Sequence, residues 1–127
     1  MRVRCVRLFK SAGPGYGEPI DEHPRLKLGD EFVVLSVLID DSLWTVGLQL
    51  LHEDGSRGWY PAAMFETILT RVPRNWVVQL WQDGSLHFAP EAWLQPGFFE
   101  GVVDGERNGP AARAILDREL AIILDDS

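Results

Sequence analysis

The 127-residue chain holds a single cysteine, Cys5, and only three histidines. One thiol excludes an intrachain disulfide framework and any metal site built from several thiolates. His23, His52 and His87 have no ligand-type histidine three or four positions away, so no helix-borne pair points to a metal, and none is expected. Basic residues are also scarce. Twelve Lys+Arg stand against nineteen Asp+Glu, a net charge of −7. Phosphate backbones and anionic lipid repel such a chain, so neither nucleic acid nor membrane is an expected partner, whereas a basic protein is. No apolar run approaches the roughly 18 residues of a membrane span. Residues 1–7 alternate charged and apolar groups rather than forming the apolar stretch of a signal peptide, and the expected location is the cytoplasm. No internal repeat and no low-complexity tract is found.

What is present suits one compact domain. The hydrophobic fraction of 46% supplies a core without suggesting disorder. Residues 2–9 read as a strand whose apolar phase changes at Cys5-Val6, the mark of a bulge or of burial on both sides. Residues 11–25, rich in Gly and Pro and carrying Asp21, Glu22 and His23, read as a long loop. The β-branched runs 32–39 and 43–51 flank Asp40-Asp41-Ser42 as a hairpin. After the Glu53-Asp54-Gly55-Ser56 turn, a strand over 57–60 ends at Pro61, with one helical turn over 62–65 and a last strand over 66–69. Residues 75–81 and 85–88 flank Gln82-Asp83-Gly84 as a second hairpin, and Pro90 suits a first helical turn over 90–94. Residues 96–104 read as a short helical segment. Ala112, Ile115, Leu116, Leu120, Ile123 and Leu124 keep helical spacing behind Pro110.

No catalytic constellation emerges from these elements. The acid pairs Asp40-Asp41, Glu53-Asp54 and Asp125-Asp126 lie in turns or at the terminus, where adjacent side chains point apart and solvated acids are expected. Gly13-Pro14-Gly15-Tyr16-Gly17 neither closes a strand nor opens a helix, so it reads as a loop and not a phosphate cradle. Cys5 sits in an apolar strand, where a buried and inert thiol is the expectation. No serine lies in a nucleophile-elbow setting. Five tryptophans are many for this length, and large aromatics serve either cores or interfaces. Trp76 and Trp81 fall on opposite strand faces, so they cannot both fill one core.

Several short motifs point to a family. Leu28-Gly29-Asp30 before Phe32-Val33-Val34-Leu35, then Leu43-Trp44, then Gly58-Trp59-Tyr60-Pro61-Ala62-Ala63-Met64-Phe65-Glu66 are arranged in that order. Together with the long acidic loop and five short strands, this resembles a Src-homology-3 barrel over residues 1–70. The resemblance implies a ligand groove beside Trp44 and Pro61, with Asp21 and Glu22 in the loop that greets a cationic ligand. It departs at the family's Asn-Tyr pair, where Ala63 and Met64 stand, and at the first strand, whose only aromatic is Phe9. Half of a polyproline groove is therefore present. Residues 71–127, with Asn75-Trp76, Pro90, Trp93 and Pro96-Gly97-Phe98, are similar in general character to small bacterial toxin-immunity proteins.

The expected fold is mainly β with a C-terminal helix (α+β): an SH3-like small β-barrel over 1–70, extended by a hairpin and helix over 71–127 packed on it as one folding unit. The expected function is non-enzymatic protein binding, in its specific form an immunity-type inhibitor occluding a basic bacterial toxin. Asp21, Glu22, Asp40, Asp41, Glu53 and Asp54 would form an acidic rim, and Trp44, Trp59 and Tyr60 the anchors. The alternative is an SH3-like regulatory module that binds peptide segments. A small hydrolase using Glu91, Glu100 or Asp104 lacks a partnered base. No cofactor is expected.

Overall fold

The computed structural model describes residues 1–41, 44–99, 102 and 109–127. Ser42 and Leu43, and residues 100, 101, 103 and 104 of the expected element over 96–104 (Glu100 and Asp104 among them), lie outside the described residues. Seven strands run in chain order: β1 (Arg2–Cys5), β2 (Glu31–Ile39), β3 (Val46–Leu51), β4 (Arg57–Pro61), β5 (Phe65–Leu69), β6 (Trp76–Leu80) and β7 (Leu86–Pro90). Short 3-10 turns follow β4 (Ala62–Met64) and β7 (Glu91–Leu94), and helix α1 spans Gly109–Asp125. Every strand pairing among the described residues is antiparallel. No helix among the described residues is long and apolar enough to cross a membrane.

Strand β1 stops at Cys5, well short of residue 9, at the phase change visible in the sequence. Beyond it, the amides of Val6 and Arg7 both donate to the Met64 carbonyl (2.9 and 3.3 Å). The chain leaves the sheet there, and before β2 it makes an isolated bridge between Phe9 and Pro19, outside the sheet.

The strand order is β4-β3-β2-β1-β5, with β7 joined to β2 and β6 to β7. Strand β2 organises the whole sheet. Its first half pairs with β1 (Phe32 opposite Val3), and its last half pairs on the same side with β7 (Leu38 opposite His87). No ladder joins β4 to β5 among the described residues, so the sheet is open and the expected closed barrel is not formed. The second hairpin takes the edge of β2 beyond β1 and extends the sheet sideways.

This arrangement buries β2 on both faces. Val34 enters one core with Val3, Cys5, Leu26, Leu50 and Met64, and Leu35 enters another with Trp93, Val102, Leu116 and Ile123. Strand alternation sends Val34 and Leu35 to opposite faces, and a register shift between Val34 (opposite Leu50) and Ser36 (opposite Gln49) sets Ser36 on the face opposite Val34. Trp76 packs against both cores. Along α1, Leu116 and Ile123 point inward with Ala112 and Leu120 beside them, whereas Leu124 faces out.

The end of α1 corrects the expectation of solvated terminal acids. The Asp126 carboxylate is buried and accepts the Arg74 amide (2.7 Å) together with guanidinium N–H groups of Arg74 and Arg71. These bonds, with Arg74 on Asp125 and Asn75 on Glu119, tie the chain's end to the segment before β6.

The two hairpins, β3–β4 and β6–β7, are built alike, which corrects the reading that the chain has no repeat. In each turn one aspartate oxygen accepts both the amide and the hydroxyl of a serine two residues on: Asp54 with Ser56, Asp83 with Ser85. Gly55 (φ +83) and Gly84 (φ +88) occupy the same left-handed position. Each outgoing strand ends in a proline followed by a 3-10 turn. The shared string is Asp-Gly-Ser, four residues, Pro, one residue, Ala, starting at Asp54 and again at Asp83.

Candidate binding groove

Opposed residues of an antiparallel ladder point to one side, so the registers assign a face. Trp59 lies opposite Gln49, which lies opposite Ser36; Leu38 lies opposite His87, which lies opposite Gln79. These side chains share one face of the five strands β4-β3-β2-β7-β6. Residues 93–99 form a wall over that face, and a cavity of about 770 Å³ opens between wall and sheet.

The groove is aromatic. Trp59 and Trp81 are 41% and 42% exposed, unusual for the largest apolar side chain, while Trp93, Phe98 and Phe99 build the wall. Trp81 stacks on His87 at 3.8 Å between ring centres and 20° between planes. Trp93 and Phe99 meet edge-on at 6.0 Å, and the Arg57 guanidinium sits 4.8 Å above the Phe99 ring.

Polar groups are few and placed. Ser36 Oγ donates to Gln49 Oε1 (2.7 Å) beneath the aromatic groups. His87 Nε2 lies 3.0 Å from Ser85 Oγ. Burial pushes the His87 pKa down, against the opposing pull of Asp83 and Asp40, and so favours the neutral ring. Burial also lowers Arg57, aided by the neighbouring charge of Arg113. Asp83, Ser85 and His87 are adjacent, but the carboxylate holds the serine hydroxyl. A nucleophile relay needs the carboxylate on the imidazole, which this order does not provide. No group of three or more potential metal ligands occurs among the described residues.

The residues singled out in the sequence are dispersed. Trp59 lines the groove, and Trp44 approaches it, since a side chain at Gly47 would touch both rings at 3.5 Å. The Trp44 indole N–H is already committed to the Ser11 carbonyl (2.7 Å). Tyr60 points the other way, into the first core, with its hydroxyl 2.7 Å from His52 Nε2. Its place in the core denies it the surface role expected of an anchor.

The six acids do not converge. Asp40 and Asp41 follow β2 at one end of β3, while Glu53 and Asp54 sit in the turn at the other end of that six-residue strand, about 20 Å away. Asp54 is held by Ser56, which lowers its pKa, and pairs with Arg25 at 3.7 Å. Asp21 and Glu22 are exposed in the long loop.

Sequence reasoning missed Arg57, Gln49, Trp81, His87, Trp93 and Phe99 as groove residues. The signal was partly there: Gln79 and Trp81 share strand parity, opposite that of Trp76. What alternation could not reveal is which face of the second hairpin joins Trp59. No family model, no curated protein and no solved structure matches the chain.

Proposed function

We propose that this chain is a non-catalytic protein-binding domain that seats an extended segment of its partner in the groove across β4, β3, β2, β7 and β6. The observation that carries the reading is the pair of half-exposed indoles, Trp59 and Trp81, at the two ends of a formed aromatic cavity. The strand order β4-β3-β2-β1-β5 and the 3-10 turn between β4 and β5 support the SH3-like reading of residues 1–70. The Trp44 indole N–H on Ser11 and the buried Tyr60 favour the new groove over the family's usual one.

A library of random segments displayed on phage, selected on the full chain, tests this. Segments enriched on the wild-type chain and lost on Trp59→Ala/Trp81→Ala support the groove. Segments held equally by both chains overturn it.

The narrower reading, an inhibitor of a basic toxin, draws on the net charge of −7 and the exposed acids Asp21, Glu22, Asp41 and Glu53. Such charges would act mainly by speeding encounter. A basic partner whose association rate falls steeply with salt supports it, and an acidic partner defeats it.

A further inference from the structure

Nineteen carboxylates give the chain its charge, yet none lines the groove among the described residues. Among the described residues the one charged side chain there is Arg57, at the β4 end beside Trp59 and Phe99. Its guanidinium makes no ion pair with any described residue, and Arg113 of α1 is near enough to add a second positive charge. The Arg57 guanidinium N–H groups donate to no described residue, so beside the Phe99 ring they stand ready for a planar acceptor. On the same face, Gln49 accepts from Ser36 with its oxygen, while its amide nitrogen donates to no described residue.

The two ends of the groove differ in charge. At the β6 end, Asp83 and Asp40 both act on His87, which makes that end unfavourable for an anion. Between them lie five strands, so the floor runs about 19 Å at the usual strand spacing. An extended segment covers that span with about six residues. A compact small molecule would fill only part of it, which favours a peptide as occupant.

We infer that the β4 end of the groove is an anion site: the partner's segment sets an Asp or Glu side chain on the Arg57 guanidinium, with an adjoining apolar side chain against Trp59 and Phe99. This rests on the groove reading above and names the partner's chemistry. The segment is an acidic-apolar one, even though the whole chain is acidic.

The experiment extends the phage selection to Arg57→Gln and Arg57→Lys chains, both first confirmed as folded by circular dichroism. Segments selected on the wild-type chain should be enriched in Asp or Glu at one fixed position, and selection on Arg57→Gln should lose that enrichment. The best segment, made as an acetylated and amidated hexapeptide, should weaken at least tenfold when its acid becomes the amide. That loss should vanish on Arg57→Gln and persist in part on Arg57→Lys. Tryptophan fluorescence titration reads the affinities. Groove-dependent segments without an acidic position, or with one that survives Arg57→Gln, overturn the anion site while leaving the groove intact. A selection that returns no segment dependent on Trp59 and Trp81 overturns both.

Discussion

The backbone amide of Arg74 donates to the buried carboxylate of Asp126 at 2.7 Å, pinning the end of α1 to the segment that starts the second hairpin. That bond, ahead of the guanidinium contacts, holds Asp126 below the ordinary carboxylate value of 3.8. A carboxyl with a depressed folded pKa stabilises the protein fully above its unfolded value and loses that contribution as pH falls through the folded one. Asp126→Asn should lower the melting temperature at pH 7. The gap to wild type should narrow as pH falls below about 4, where the unfolded carboxyl takes up its proton first and the folded one only at lower pH. Thermal melts of both chains from pH 7 to 3 check this; parallel curves would show that Asp126 contributes no ionised contact.

The histidines act at a higher pH. All three have pKa values lowered, with burial the largest cause in each. The folded chain favours neutral imidazoles, while the unfolded chain takes up protons around 6.5. Stability should be full above that value and fall as pH drops below it toward the folded values. His52 is the most buried, and Tyr60→Phe removes the hydroxyl facing its Nε2. The expected cost is about 1 kcal/mol at pH 7.5, read by urea denaturation. No cost would mean that water replaces the hydroxyl.

The duplicated turns make a quantitative test. Gly55 and Gly84 have nearly the same positive φ, and a side chain at either would meet nothing within 4 Å. Alanine at these positions therefore reports backbone strain alone, about 1 kcal/mol each. Gly55→Ala and Gly84→Ala should destabilise equally, and the double variant should show their sum. A large inequality between the two would mean that the hairpins, though alike in bonding, are under different constraint.

Much of this fold was legible in short-range chemistry. The strands over 32–39 and 57–60, both hairpins and the helix behind Pro110 follow from β-branched runs, Asp-Gly turns and helical spacing. The repeat is faint in the sequence because Asp54-Gly55-Ser56 and Asp83-Gly84-Ser85 share turn and proline residues, while their strand residues differ, as Trp59 does from Phe88. The open sheet was not legible either. Closure would need β4 to pair with β5, the two ends of the path β4-β3-β2-β1-β5, and no local pattern records such a pairing. The site was half seen. Trp59 borders a familiar groove, but the ring that completes the cavity, Trp81, stands 22 positions later just past the end of β6, a strand whose place in the sheet is chosen only in three dimensions.

Strand β6 supplies the last test. Among the described residues it pairs only with β7, at the sheet's edge, and it carries neither a charge nor a proline. Native edges are commonly guarded by such residues, since unpaired backbone groups invite another strand. Val78 and Leu80 are 63% and 69% exposed and point away from the groove, on the face opposite Gln79 and Trp81. Val78→Lys/Leu80→Lys should change stability by no more than about 0.5 kcal/mol per site, because neither side chain is buried. Light scattering at rising concentration should show less self-association than wild type, while the affinity of groove-selected segments stays the same. A fall of several kcal/mol would place these side chains in a packed surface, and lost peptide binding would place the edge strand in the site itself.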